Sequence, residues 1–234
     1  MPSSPSFEAS NPTGLNDAAS TEVMQLGELA GNDPKAKAFM TDFQSHIGKA
    51  GAAARMGVSA AEGLRQNDTI FPDGRARMVR EATDNAATIT ANEHAKADMT
   101  LAVWEAHLQA QVFAHDTRND VGISAELSNF AHGVKQGDPD GKLIALAERP
   151  RYATAMASEL GESLAARFGV SHQSMIDASF RGLTKGGTPA QQAAAASLKE
   201  FHKARRVLTL SKAGADNARR VMQTPNEPLA PRRG

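Results

Sequence analysis

Apolar positions along this chain recur every three or four residues almost throughout, and no segment alternates strictly. That period belongs to helices with one buried face, not to strands. Val23, Leu26 and Leu29 place a short helix over 21–29. Asp33 and Pro34 supply an N-cap and a proline for the first turn of the next. Ala36, Phe39, Met40, Phe43, Ile47, Ala50 and Ala54 then keep helical spacing as far as Gly57, which reads as its end. Ser59 and Glu62 read as the capping box of a further short helix to Arg65. Phe71-Pro72-Asp73-Gly74 reads as a turn.

The longest pattern follows that turn. No glycine or proline occurs over 75–120, so one helix of about 40 residues, about 60 Å long, is expected from Arg75 to near His115. Its stripe reads Met78, Ala82, Ala86, Ile89, Met99, Val103, Trp104, Leu108 and Val112, with Asn92, Glu93, His94 and Lys96 making the middle polar. A helix so polar at its centre is not expected to be buried all round.

Beyond Asn119-Asp120-Val121-Gly122, Ser124 is placed as the cap of a helix carrying Leu127, Phe130, Ala131 and Val134. Gly137-Asp138-Pro139-Asp140-Gly141 is the strongest turn signal and the candidate domain boundary. A short helix over 143–148 precedes Pro150, and one amphipathic helix is expected over 151–168. Ser171 caps a helix carrying Ile176, Phe180 and Leu183, after which Gly182-Leu183-Thr184-Lys185-Gly186-Gly187 reads as a hinge. Thr188, Pro189 and Gln191 form a capping box that launches the alanine run 193–196 and then Leu198, Phe201, Leu208 and Leu210. Gly214 reads as a break before a last helix over 215–222. The expected fold is all-α: an extended helical bundle of about eight to nine helices with one long central helix. Its organisation reads as a flexible arm over 1–20, a helical region over 21–136, a bundle over 142–223 and an irregular tail over 224–234.

Composition changes this picture in one respect. Hydrophobic residues make up 41% of the chain, but 43 of them are alanine, with one Trp, one Tyr and nine Phe. Alanine favours helix while burying little surface. The helices should therefore pack closely over small contacts, in an extended bundle or in one completed by neighbouring subunits. There is no cysteine, which excludes disulfides, thiolate metal sites and a cysteine nucleophile. No apolar run long enough to span a membrane occurs, and the first residues lack the charged and apolar regions of a secretory signal.

Charge is balanced overall yet divided between the ends. The five charged residues before Lys35 are all acidic: Glu8, Asp17, Glu22, Glu28 and Asp33. From Lys199 onward nine basic residues face three acidic ones, a net +6. Lys199, His202, Lys203 and Arg206 are expected to share one helix face, with Arg205, Arg219 and Arg220 adding to the basic surface. Such a surface suits the phosphates of a nucleic acid, an acidic membrane surface or an acidic protein groove. The amphipathic character of the basic segment favours contact between chains over an internal ion pair.

Few residues fall in a pattern that carries known chemistry. His94 and Asp98 stand at i,i+4, and His107 and His115 two turns apart, but no recognised metal motif is present. Gly161-Glu162-Ser163 carries the Glu-Ser of lytic transglycosylases without the rest of that pattern; Glu162 would be the first carboxylate to substitute in a search for activity. Asp138-Pro139-Asp140-Gly141 fails as a calcium loop because its twelfth position is Arg149. No phosphate loop is present. The expectation is a non-enzymatic chain with no cofactor, metal or small-molecule substrate.

The arm over 1–20, the unbroken stretch 75–120 and the alanine-rich 191–197 together resemble, in composition, the internal, ejection and connector proteins of tailed-phage virions. The arm followed by helices also resembles bacterial proteins exported by type III secretion. The first resemblance implies a homo-oligomeric structural protein, joined to itself or to other virion proteins. The second implies an exported effector or adaptor without a classical signal peptide. Nucleic-acid binding through the basic end is the third expectation, with a cytoplasmic location where neither virion nor export applies.

Overall fold

The computed structural model describes residues 14–31, 33–114, 120–133 and 139–224. Among these residues there is no strand, and the fold is all-α as expected. The elements are α1 (Gly14–Met24), a 3-10 segment (Gln25–Ala30), α2 (Pro34–Arg65), α3 (Pro72–Val112), α4 (Asp120–Gly133), α5 (Pro139–Ala147), α6 (Pro150–Met156), α7 (Glu159–Phe168), α8 (His172–Gly186), α9 (Pro189–Glu200) and α10 (His202–Gln223). None of the described helices is long and apolar enough to cross a membrane.

Local chemistry sets many of the boundaries. Asp33 accepts a hydrogen bond from the Lys35 amide and Pro34 occupies the first turn, which starts α2. Ser171 accepts from the Ser174 amide at the start of α8, and Thr188 and Gln191 exchange both bonds of a capping box at the start of α9. The Phe71–Gly74 segment is a helix start rather than a free turn: Pro72 opens α3, and the Arg75 amide donates to the Phe71 carbonyl. From there α3 runs unbroken for 41 residues.

Other boundaries differ from the sequence reading. Residues 14–20, assigned to the arm, already belong to α1, while 1–13 and the tail over 225–234 lie outside the described residues. Val23, Leu26 and Leu29 are buried together, though a 3-10 segment replaces the end of the helix expected there. Neither Gly57 nor Gly214 ends a helix. At Gly57 a Cβ would come within 2.5 Å of Ala86 Cβ, and at Gly214 within 2.6 Å of Asn16 Oδ1. These glycines permit close approach of neighbouring helices, so α2 and α10 pass straight through them. The helix expected over 151–168 is divided into α6 and α7. Ser158 caps α7, and Gly161 lets it lie against the Met156 carbonyl, where a Cβ would come within 1.9 Å.

Ser124 lies inside α4 rather than at its cap, and Asn119 and Val134 lie outside the described residues. So do Gly137 and Asp138 of the expected boundary, while Pro139, Asp140 and Gly141 form the first turn of α5. Gly182 is interior to α8, which ends at Gly186 with Gly187 as its C-cap.

The chain divides into two compact units, at places different from the 137–141 boundary. One comprises the described residues up to Val103 and those from His202 onward; the other is Trp104–Phe201. In the first, α1, α2 and α10 pack against one another. Ala54, Val58 and Ala61 of α2 meet Ala86 of α3 and Ala218 and Met222 of α10. Here the alanines bring helices close, as the composition implies. The second unit has a core of its own. Ile123 and Leu127 of α4, Leu143 and Leu146 of α5, Met156 of α6, Leu164 of α7 and Met175 of α8 form one cluster. Trp104 and Phe201 meet edge to face at 5.3 Å in the same unit.

Candidate functional site on helix α3

Helix α3 presents two faces in the first unit, and they are not the ones apolarity alone selects. Its buried row is Thr83, Ala86, Thr90, Glu93, His94, Ala97 and Leu101. Of the expected stripe, Ala86, Trp104, Leu108 and Val112 are buried, but Met78, Ile89, Met99 and Val103 are 39%, 43%, 70% and 52% exposed. The polar middle therefore turns inward in part, through Glu93 and His94.

Each inward polar group is provided for. Thr83 and Thr90 donate their hydroxyls to the carbonyls of Val79 and Ala86, one turn back. Glu93 Oε1 accepts from Lys96 Nζ at 2.6 Å, and Glu93 Oε2 lies 2.7 Å from His46 Nδ1 of α2. The Lys96 ammonium first, and then His46, hold the Glu93 carboxyl down at about 2 from an ordinary 4.5. His94 Nε2 lies 2.9 Å from Ser211 Oγ of α10. Burial pushes the His94 pKa below its ordinary 6.5, and the nearby Lys212 charge adds to the effect. Beside them a cleft of about 420 Å³ opens, walled by Ala87, Ala91 and Ala215 and edged by Asp98, Lys212, Asp216 and Arg219. Asp98 and Lys212 form an ion pair across it.

This arrangement ties α3 to α2 and α10. A serine beside a histidine is the pairing that nucleophilic catalysis uses, but Ser211 is 1% exposed, out of a substrate's reach. His94 and Asp98, considered together as ligands, turn to different partners on α10. His115, paired with His107 in the sequence reading, lies outside the described residues. Among the described residues no group of three or more His, Asp or Glu could hold a metal ion. Glu162 is exposed on α7.

The basic residues named from the sequence do not form one surface within one unit. Lys199 is near the end of α9 in the second unit, and Phe201 interrupts the helix before α10 begins at His202. His202, Lys203, Arg205, Arg206, Arg219 and Arg220 are exposed on α10 in the first unit. The acidic and basic ends also meet within the chain, contrary to the expectation from charge. Helix α1 packs on α10, and Arg206 Nη2 donates to Glu22 Oε1 at 3.2 Å. Arg55 of α2 donates to Asp17 of α1 at 3.3 Å.

What the outward face of α3 leaves uncovered is the more informative feature. Met78, Ile89, Met99 and Val103 fall within about a quarter of the helix circumference at 3.6 residues per turn. The signal in the sequence is a second apolar row offset from the first, and apolarity alone does not separate the two. Compared with known proteins, the chain matches no family model, no curated sequence and no solved structure.

Proposed function

We propose that this chain is a non-enzymatic structural protein that assembles with copies of itself, in the manner of an internal or connector component of a phage particle. One observation carries this reading: α3 holds four large apolar side chains on its outward side, while polar side chains occupy much of its inward side. Large apolar groups aligned on one face mark a surface awaiting a partner. The alanine contacts where α2, α3 and α10 meet agree with it, since alanine buries little apolar surface and association supplies more. The His94–Ser211 and Glu93–His46 contacts serve as internal ties in this reading, not as chemistry.

The basic surface supports a nucleic-acid or acidic-partner reading less well. Arg206 is engaged by Glu22, and Lys199 belongs to the other unit.

The test is sedimentation of the full chain over a range of concentrations. A mass that rises with concentration toward a closed oligomer is expected. In Met99→Lys/Val103→Lys, two exposed positions where the fold should persist by circular dichroism, the dissociation constant should rise at least about tenfold through burial of uncompensated charge. A chain that remains monomeric throughout would overturn the proposal.

A further inference from the structure

The outward row on α3 is regular enough to specify its partner. Met78, Ala82, Asn85, Ile89, Asn92, Lys96, Met99 and Val103 follow one another by alternating steps of four and three, the heptad spacing that lets two helices keep one seam in contact. All are exposed except Ala82, which is half-buried. Phe71, one heptad before Met78 and 87% exposed, extends the row just ahead of the helix. The row is apolar toward both ends and polar at Asn85, Asn92 and Lys96. Polar groups within such a seam weaken it but fix its direction and register. The inward row, by contrast, is already occupied by α2 and α10.

We infer that this row docks against the same row of a second copy, antiparallel, about a two-fold axis passing between Thr90 and Ala91. The inference rests on the self-association proposed above and gives it a surface and a register. Antiparallel pairing sets Met78 against Val103, Ala82 against Met99, Asn85 against Lys96 and Ile89 against Asn92, each pair being made twice. Charge decides the direction, and size agrees with it. Each Lys96 then faces an amide oxygen, which can accept one of the ammonium protons left over from its bond to Glu93. Parallel pairing would stack Lys96 on Lys96, placing like charges directly opposite. It would also set alanine against alanine at Ala82, whereas the antiparallel seam sets that alanine against a long methionine and leaves no gap.

The asparagines could pair in either direction. In a parallel seam each would meet its own copy. In the antiparallel seam the two Asn92 side chains fall in adjacent layers about 4.5 Å apart along the axis, near enough for their amides to join each other beside Ile89. Lys96 is therefore the member that discriminates.

The size of the seam sets the strength. At 1.5 Å per residue the row is about 38 Å long, and a helix is about 10 Å across, so the footprint is about 400 Å² per copy and about 800 Å² for the pair. This lies at the low end of specific interfaces, where reversible association is the rule. A weak, reversible dimer is therefore expected.

The absence of native cysteine allows a direct test. Met78→Cys/Val103→Cys in the full chain should form a disulfide-linked dimer under mild oxidation, because each introduced thiol faces the other kind across the axis. Val103→Cys alone should not, since the two copies of that residue lie about 38 Å apart at opposite ends of the seam. Efficient linkage of the single variant would mean parallel pairing and would overturn this register while leaving self-association standing. A concentration-dependent dimer in which neither variant links would overturn this surface, and self-association would then stand on another part of the chain. A chain monomeric by sedimentation at every concentration would overturn both the inference and the function it rests on.

Discussion

At the scale of single residues, Glu93 and His94 show how a polar pair on one helix can face inward. Neighbours on one turn, they reach opposite partners, His46 on α2 and Ser211 on α10. Their pKa shifts make stability depend on pH in two separate windows. The depressed Glu93 pKa means that the unfolded chain takes up a proton before the folded one, so its stabilisation is present above about 4.5 and fades as pH falls toward about 2. For His94 the folded pKa is also lowered, and the unfolded chain again protonates first. Stability is therefore whole above the unfolded value of 6.5 and declines as pH falls below it, at most by about 1.4 kcal/mol per pH unit. Lys212, Asp98 and Asp216 face the same imidazole, and Lys212 outweighs either carboxylate. His94→Gln, which can still hydrogen-bond Ser211, should remove the upper window and leave the acid limb. Thermal unfolding between neutral and acid pH checks this; an unchanged decline below pH about 6.5 would show that other groups cause it.

At the scale of elements, glycine has two uses that a sequence does not distinguish. A glycine may end a helix or may let another helix approach. Gly57 and Gly214 do the second, although their place in the sequence pattern suggests the first. The distinction predicts opposite effects for one substitution within α2. Gly48 is exposed and a Cβ there would meet nothing within 4 Å, so Gly48→Ala should stabilise by about 0.5–1 kcal/mol through helix propensity. At Gly57 the new Cβ would stand 2.5 Å from Ala86 Cβ and 2.9 Å from Met222 Sδ, so Gly57→Ala should destabilise by about 1–3 kcal/mol. Urea unfolding of the two variants checks the sign of each. The caps, by contrast, were legible because their chemistry is local: Asp33 with Pro34, Ser171, and Thr188 with Gln191 act within four residues. The continuity of α3 was legible for the same reason. Its orientation was not. Thr83, Thr90, Glu93 and His94 are polar yet buried, and what satisfies them lies partly on α2 and α10, distant in sequence. Reading apolarity alone thus merged the inward row with the outward one and hid the candidate surface.

At the scale of the whole molecule, chain order and packing order diverge. Helix α10 follows α9 in sequence but belongs to the unit containing α1 and α2. The reason lies in complementary surfaces: Ala204, Val207, Leu208, Ser211, Gly214, Ala218 and Met222 form the buried side of α10, and Gly214 admits Asn16 of α1. The Glu22–Arg206 ion pair sits at the exposed margin of that contact, side chains 31% and 68% exposed, where such a pair adds at most about 1 kcal/mol. Burial, not charge, must then hold the two ends of the chain together. Val23 of α1 is 3% exposed, and Val23→Ala should cost about 1–3 kcal/mol by leaving a gap. Because regions that open together share their loss of protection, amide exchange in this variant should quicken in α1, α2 and α10. The amides of α8, in the other unit, should change less. Glu22→Gln should leave the same amides nearly untouched. A larger rise in exchange in α9 than in α10 on Val23→Ala would mean that contact with α1 does not govern the opening of α10. The reverse result would show that the distant N-terminal helix is what keeps the C-terminal helix folded.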